Sequence, residues 1–225
     1  MSAKTLDSKQ RWRSVSVGFR GSPQDAYHID MLVKTSGLTK QEYIIRSLLR
    51  EQIIVHTGRG LAQTLSGLQD TGERIRYTVD FVERTTGLTG VGAYLTLLLE
   101  LDSFFLNEDR HTNNLAVIRN EKTMEFRLCP IFDNGLALLS DTHDYTMEKD
   151  VYDCIRRVRA KPFDGAFDAQ VEAAEELYGA QLKFSFKRGD VCEALDCVRE
   201  LYPETAIGRV ERVLYEQMRK YQVYF

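Results

Sequence analysis

The sequence predicts a mainly α protein in two parts, with a small β-hairpin set into the second. Three observations carry that expectation. Apolar residues recur at helical spacing along much of the chain, as in Ile75, Val79 and Val82 or Ile207, Val210, Leu214, Met218 and Tyr221. A stretch punctuated by Gly58, Gly60, Gly67 and Gly72, residues 56–72, interrupts that periodicity and reads as an irregular link. Charge divides there too: residues 1–59 carry ten Lys or Arg against five Asp or Glu, and the remainder carries twenty against twenty-eight. The boundary is expected near Gly60, giving parts 1–59 and 60–225 that meet different partners.

The 225 residues are 43% hydrophobic and 28% charged, the balance of a folded domain. Apolar runs such as residues 94–99 fall far short of the roughly 20 residues that cross a bilayer, and residues 1–10 are polar with no signal-peptide core. A cytoplasmic protein with no membrane partner is expected. Cys129, Cys154, Cys192 and Cys197 form no CxxC pair, so they read as reduced thiols, without zinc or redox chemistry.

In the first part, residues 13–20 alternate, with Val15, Val17 and Phe19 on one face and Ser14, Ser16 and Gly18 on the other, as in a half-buried strand. Ser22, Pro23 and Asp25 then open a helix with an N-cap, a proline and an acid, and Ala26, Ile29, Leu32 and Val33 share its face. Gly37 ends it. Thr39 and Glu42 form a second capping box, followed by a helix whose stripe is Ile44, Ile45, Leu48, Leu49 and Ile53. So short a segment cannot hide its own apolar faces, and dimerisation is expected.

Residues 11–54 resemble ribbon-helix-helix proteins, including plasmid-mobilisation accessory proteins, whose paired strands enter the DNA major groove. The resemblance implies a homodimer on DNA, with Ser14, Ser16 and Gly18 toward base edges and Lys9, Arg11, Arg13 and Arg20 near phosphates. Serine and glycine discriminate bases poorly beside Arg, Asn or Gln. The alternative is a strand that only dimerises, with the basic residues a solvated face.

In the second part, residues 73–85 and the apolar 90–105 read as scaffold helices. Behind them the polar stretch 107–114 runs Asn107, Glu108, Asp109, Arg110, His111, Thr112, Asn113, Asn114. Residues 115–119 and 124–128 form the expected hairpin, and Asp133 follows it, between Phe132 and Asn134. A polar loop wedged between apolar elements is more often a site than a filler. Phosphoryl transfer needs a carboxylate to accept the substrate hydroxyl proton and hard oxygen ligands to hold Mg2+ against ATP. Asp109, Asn114 five residues on and Asp133 after a short hairpin have the order and spacing of those groups in protein kinases.

The wording around them, LNEDRHTNNLAVI and CPIFDNGLALL, resembles HipA-type kinases, the serine/threonine kinases of bacterial toxin–antitoxin systems, whose loop reads N-x-D-x-H-x-x-N. The resemblance runs from about residue 61 to 225 and implies the helical carboxyl-terminal lobe of a protein-kinase-like fold. By it Asp109 is the catalytic base, Asn114 and Asp133 bind Mg2+ beside ATP, and Asn107 and His111 support the loop. His111 is expected as a satisfied buried imidazole rather than an acid. Arg110, Asn113 and Asn134 stay outside the assigned site. Asp141, His143 and Asp144 read as a solvated turn rather than a metal cluster, residues 166–178 and 190–201 as amphipathic helices, and a last helix starts at Pro203 and Glu204.

A complete kinase also has a sheet-rich lobe, with a Gly-rich loop over the phosphates and a lysine that reaches them. Neither is found upstream, where Gly58 and Gly60 are only punctuation. Three functions stay open. The chain is a split serine/threonine kinase whose nucleotide lobe comes on another protein, or a DNA-binding regulator with an inactive kinase-like lobe, or a lobe that binds nucleotide or protein without turnover. An antitoxin is a further expected partner, and the residues do not identify a protein substrate.

Overall fold

The computed structural model describes residues 52–55, 59–120, 123 and 125–225, together with Ser22, Gln24, Ala26, Tyr27, Ile29, Asp30 and Lys40. The chain divides into two compact units, Met1–Arg50 and Glu51–Phe225. In the first, Gln24, Ala26, Tyr27, Ile29, Asp30 and Lys40 are helical, and Lys40 Nζ pairs with Asp30 at 2.7 Å. Ala26 N donates to Ser22 O at 3.1 Å, in keeping with a helix opening at Ser22. The strand expected over 13–20, and with it Lys9, Arg11, Arg13, Ser14, Ser16, Gly18 and Arg20, lies outside the described residues.

The second unit is mainly helical. Its order is β1 (Gln52–Val55), α1 (Arg59–Gly67), α2 (Thr71–Thr86), α3 (Val91–Phe105), β2 (Ala116–Arg119), β3 (Phe126–Leu128), α4 (Val151–Arg157), α5 (Phe167–Tyr178), α6 (Arg188–Asp196) and α7 (Glu204–Lys220), with single 3-10 turns at Thr112–Asn114, Arg199–Leu201 and Gln222–Tyr224. No described helix is long and apolar enough to cross a membrane.

Local chemistry explains the main elements. Asp70 caps α2 by accepting from Glu73 N at 2.8 Å, and Gly87 ends it at φ 73°, where a side chain would be strained. Helix α3 is apolar on nearly every face, as a helix enclosed by neighbours must be. It packs against α5, and a Cβ on Gly92 would fall 2.3 Å from the Tyr178 ring, so the close approach depends on glycine. Ile75 and Val79 of α2, Leu95, Leu98 and Leu99 of α3, and Phe163 and Ala174 make the first core. At the far end of α3, Phe104 meets Phe184 with ring centroids 4.5 Å apart, and Phe186 and Phe225 join the cluster, tying down the final segment.

Three expectations need correction. The unit boundary falls at Arg50 and Glu51 rather than near Gly60, which lies inside α1 together with Gly67. Ile53 belongs to β1 and not to a helical stripe, because β1 pairs antiparallel with β2, Ile53 opposite Ile118. The expected hairpin is thus two strands of a three-stranded sheet in the order β1-β2-β3. The helix expected over 190–201 stops at Asp196, and a 3-10 turn follows.

Candidate functional site

The polar loop begins where α3 ends. Leu106 takes a left-handed backbone, φ 54°, and Asn107 N bonds back to Asp102 O at 2.8 Å, so the chain turns sharply out of the helix. At the other end, the 3-10 turn Thr112–Asn114 delivers Asn114 to the start of β2. The chain then runs up β2 and down β3 and returns past Asp133, whose φ of 58° is one that aspartate tolerates better than most residues. The returning segment is laced to the end of α3 by Leu138 N donating to Phe105 O at 2.8 Å.

Arg110 joins these pieces. Fully buried, it grips Asp102 through two bonds, Nε to Oδ2 at 2.7 Å and Nη2 to Oδ1 at 2.9 Å. Its remaining donors reach Phe132 O at 2.6 Å, Asn134 Oδ1 at 2.6 Å and Asn114 O at 3.4 Å. The residues on either side of Asp133 are therefore fastened to the loop that carries Asp109 and Asn114. Asn107 adds a bond to Asp102 Oδ1 at 2.8 Å and accepts Asp109 N at 3.3 Å. Removing one partner of such a buried pair strands a charge and costs about 3–5 kcal/mol.

Asn114 is buried and donates its amide to Asp109 O at 2.9 Å, which turns its Oδ1 to the other side. Asp133 is exposed and makes no ion pair or hydrogen bond with the described residues. Asp109 is partly open, its side chain 31% exposed, and Lys161 Nζ sits 3.2 Å from its Oδ1. The neighbours of Asp133, rather than Asp133 itself, are thus bonded to the loop of Asp109 and Asn114. Asp133 and Asn114 offer a carboxylate and an amide oxygen, the hard donors that suit Mg2+, which takes few protein ligands and completes its shell with phosphate and water.

His111 departs from expectation. Its backbone is bonded within the turn, but its buried Nδ1 has no hydrogen-bond partner among the described residues, which leaves that nitrogen of the imidazole unsatisfied there. Asp141, His143 and Asp144 form an exposed turn, Asp141 Oδ1 accepting His143 N at 2.9 Å, and no metal-binding group of three His, Cys, Asp or Glu occurs among the described residues.

Lys161 and Asp102 were not anticipated as site residues. Lys161 lies 52 positions from Asp109, beyond any local pattern, and Asp102 sits in a mainly apolar helix whose other buried acid, Glu100, meets no cation among the described residues. A cavity of about 410 Å3 flanks the network, between Leu101 and Phe105 on one side and Ile131 and Leu138 on the other. Comparisons with protein-family models, curated proteins and solved structures gave no match.

Proposed function

We propose that the second unit is the carboxyl-terminal lobe of a HipA-like serine/threonine kinase, transferring phosphate from Mg2+-bound ATP with a nucleotide lobe supplied in trans. The observation that carries the reading is the Arg110 network, which ties Phe132 and Asn134 to the loop of Asp109 and Asn114. Catalysis of this kind is mainly positioning and electrostatics, so a rigid frame behind exposed carboxylates is what it requires. Asp109 takes the proton of the substrate hydroxyl as its oxygen attacks the γ-phosphorus of ATP and the bond from that phosphorus to the departing ADP oxygen breaks, and Lys161 keeps the carboxylate oriented and offers a positive charge beside it. Asn114 and Asp133 would hold Mg2+, which when bound would neutralise charge on the phosphates. Asn107 holds the backbone N–H of Asp109 and so sets where the base points.

The first unit, with its ten Lys or Arg against five Asp or Glu over residues 1–59, is read as a ribbon-helix-helix dimer on DNA, with Arg11, Arg13 and Arg20 at phosphates. Both resemblances suit a toxin–antitoxin setting. A second reading, a DNA-binding regulator with an inactive lobe, is favoured by the lack of a Gly-rich loop and its lysine in the sequence.

Melting of the full chain against Mg·ATP separates the two. The kinase reading expects saturable stabilisation that Asp133→Ala abolishes, and phosphotransfer, once a nucleotide lobe is added, that Asp109→Ala abolishes. Salt-sensitive duplex binding with no response to Mg·ATP would favour the regulator and sink the kinase.

A further inference from the structure

A cavity of about 900 Å3, not lined by Asp109, Asn114 or Asp133, lies between the start of α4, the start of α6 and α7. Its base is rigid. Arg209, 5% exposed, donates to the carbonyls of Tyr145, Thr146 and Lys149, the bond to Thr146 O being 2.6 Å long. Above it the charges are unevenly engaged.

Every carboxylate on the walls already has a partner. Asp150 caps α4 by accepting Tyr152 N at 2.9 Å and Asp153 N at 3.2 Å. Glu204 pairs with Arg199, and Glu216 with Arg219 at 2.9 Å and with the Tyr152 hydroxyl at 3.1 Å. Glu148 accepts its own N–H and the Thr146 hydroxyl, which hold its pKa down. Two of the three lining arginines, Arg212 and Arg188, are the opposite case. Among the described residues, Arg212 is exposed with no hydrogen bond or ion pair, and Arg188 rests over the Tyr215 ring, 4.7 Å from its centroid, with no carboxylate bound to it. Arg212 precedes Tyr215 by three residues on α7, so the two guanidiniums lie toward the same stretch of that helix.

We propose that this groove binds a peptide segment carrying a phosphorylated side chain flanked by basic residues. Two unpaired guanidiniums match the several oxygens of a phosphate dianion, for which arginine's planar fork is suited. A cavity of this size is too large for a bare anion and lies at the upper end of the roughly 300–1,000 Å3 typical of ligand clefts. Glu148 and Asp150 also line the cavity, and their carboxylates oppose a continuous polyanion but complement lysines beside the phosphate, which selects a peptide over a nucleic acid. The half-exposed Tyr152 ring supplies an apolar surface for the chain between them. The inference does not depend on the kinase reading.

The test uses fluorescence anisotropy of the full chain with a labelled lysine-flanked phosphoserine peptide, beside the same peptide carrying serine. The expected result is saturable binding at least tenfold tighter for the phosphopeptide. Arg212→Ala and Arg188→Ala should each weaken it at least fivefold while keeping the wild-type melting temperature, and Asp133→Ala should leave it unchanged. Equal affinity for the serine peptide would overturn the proposal. So would phosphopeptide binding that survives the double arginine variant, or a DNA duplex whose binding depends on Arg188 and Arg212 and which displaces the peptide.

Discussion

The loop at 107–114 and the groove beside α7 both set arginines near carboxylates, yet they use the charge differently. Arg110 is fully buried, with bonds to Asp102, Phe132, Asn114 and Asn134 that leave it nothing for a ligand. Arg212 is exposed and bonded to none of the described residues, while the carboxylates around it are engaged elsewhere. The same side chain is framework in one region and recognition surface in the other, and the difference lies in which partners the fold has already assigned. A buried ion pair fixes geometry at the cost of desolvation, whereas an exposed cation stays hydrated and available.

The comparison breaks most readily at Asp102. Asp102→Ala leaves Arg110 charged and unpaired in the interior, and urea unfolding should show a loss of about 3–5 kcal/mol. A variant that unfolds like wild type would mean that Arg110 is not framework. Gly92→Ala, which forces a Cβ onto the Tyr178 ring between α3 and α5, should cost about 1–3 kcal/mol by the same measurement.

A third test concerns a buried acid with different partners. Glu100 is fully buried and accepts Gln181 N at 2.9 Å and Leu182 N at 2.7 Å. Burial, joined by the neighbouring Glu175, pushes its pKa up from 4.5 to about 7. Such an acid holds its proton more tightly folded than unfolded. Its stabilising share is full below pH 4.5 and declines as pH rises toward about 7. Denaturant midpoints measured across that window should fall with rising pH, and Glu175→Gln should flatten the fall. An unchanged slope would remove Glu175 as a cause.

The smallest effect is expected at Lys161. Its pair with Asp109 is half exposed, so Lys161→Ala should change stability by less than about 1 kcal/mol in thermal melts. A larger loss would place Lys161 with Arg110 as framework.

Much of the helical fold was legible in local pattern. Asp70, Gly87 and the Ile75, Val79 and Val82 spacing delimit α2, and the stripe from Ile207 to Met218 marks α7. What failed was either short or non-local. Helix α4 spans 7 residues, too few for a period to show, although Asp150 caps it. The run Gln52–Val55 reads equally as helix or strand until β2 arrives over sixty residues later in sequence, at Ala116–Arg119. In the site, the spacing of Asp109, Asn114 and Asp133 was visible, but their scaffold was not. Arg110 finds Phe132 and Asn134 only after the hairpin folds back, and Lys161 finds Asp109 only through tertiary packing.

The pairing of β1 with β2 bears on how the protein can be cut. The strand Gln52–Val55 begins two residues after the first unit ends at Arg50, yet it bonds to Ala116–Arg119, which follows Asn114 almost directly. A fragment starting at Gly60 would strip that strand away and bare a hydrogen-bonding edge whose Val117 and Ile118 are apolar, inviting intermolecular association beside the polar loop at 107–114. Proteolysis or expression meant to isolate the second unit should therefore leave residues 51–55 attached.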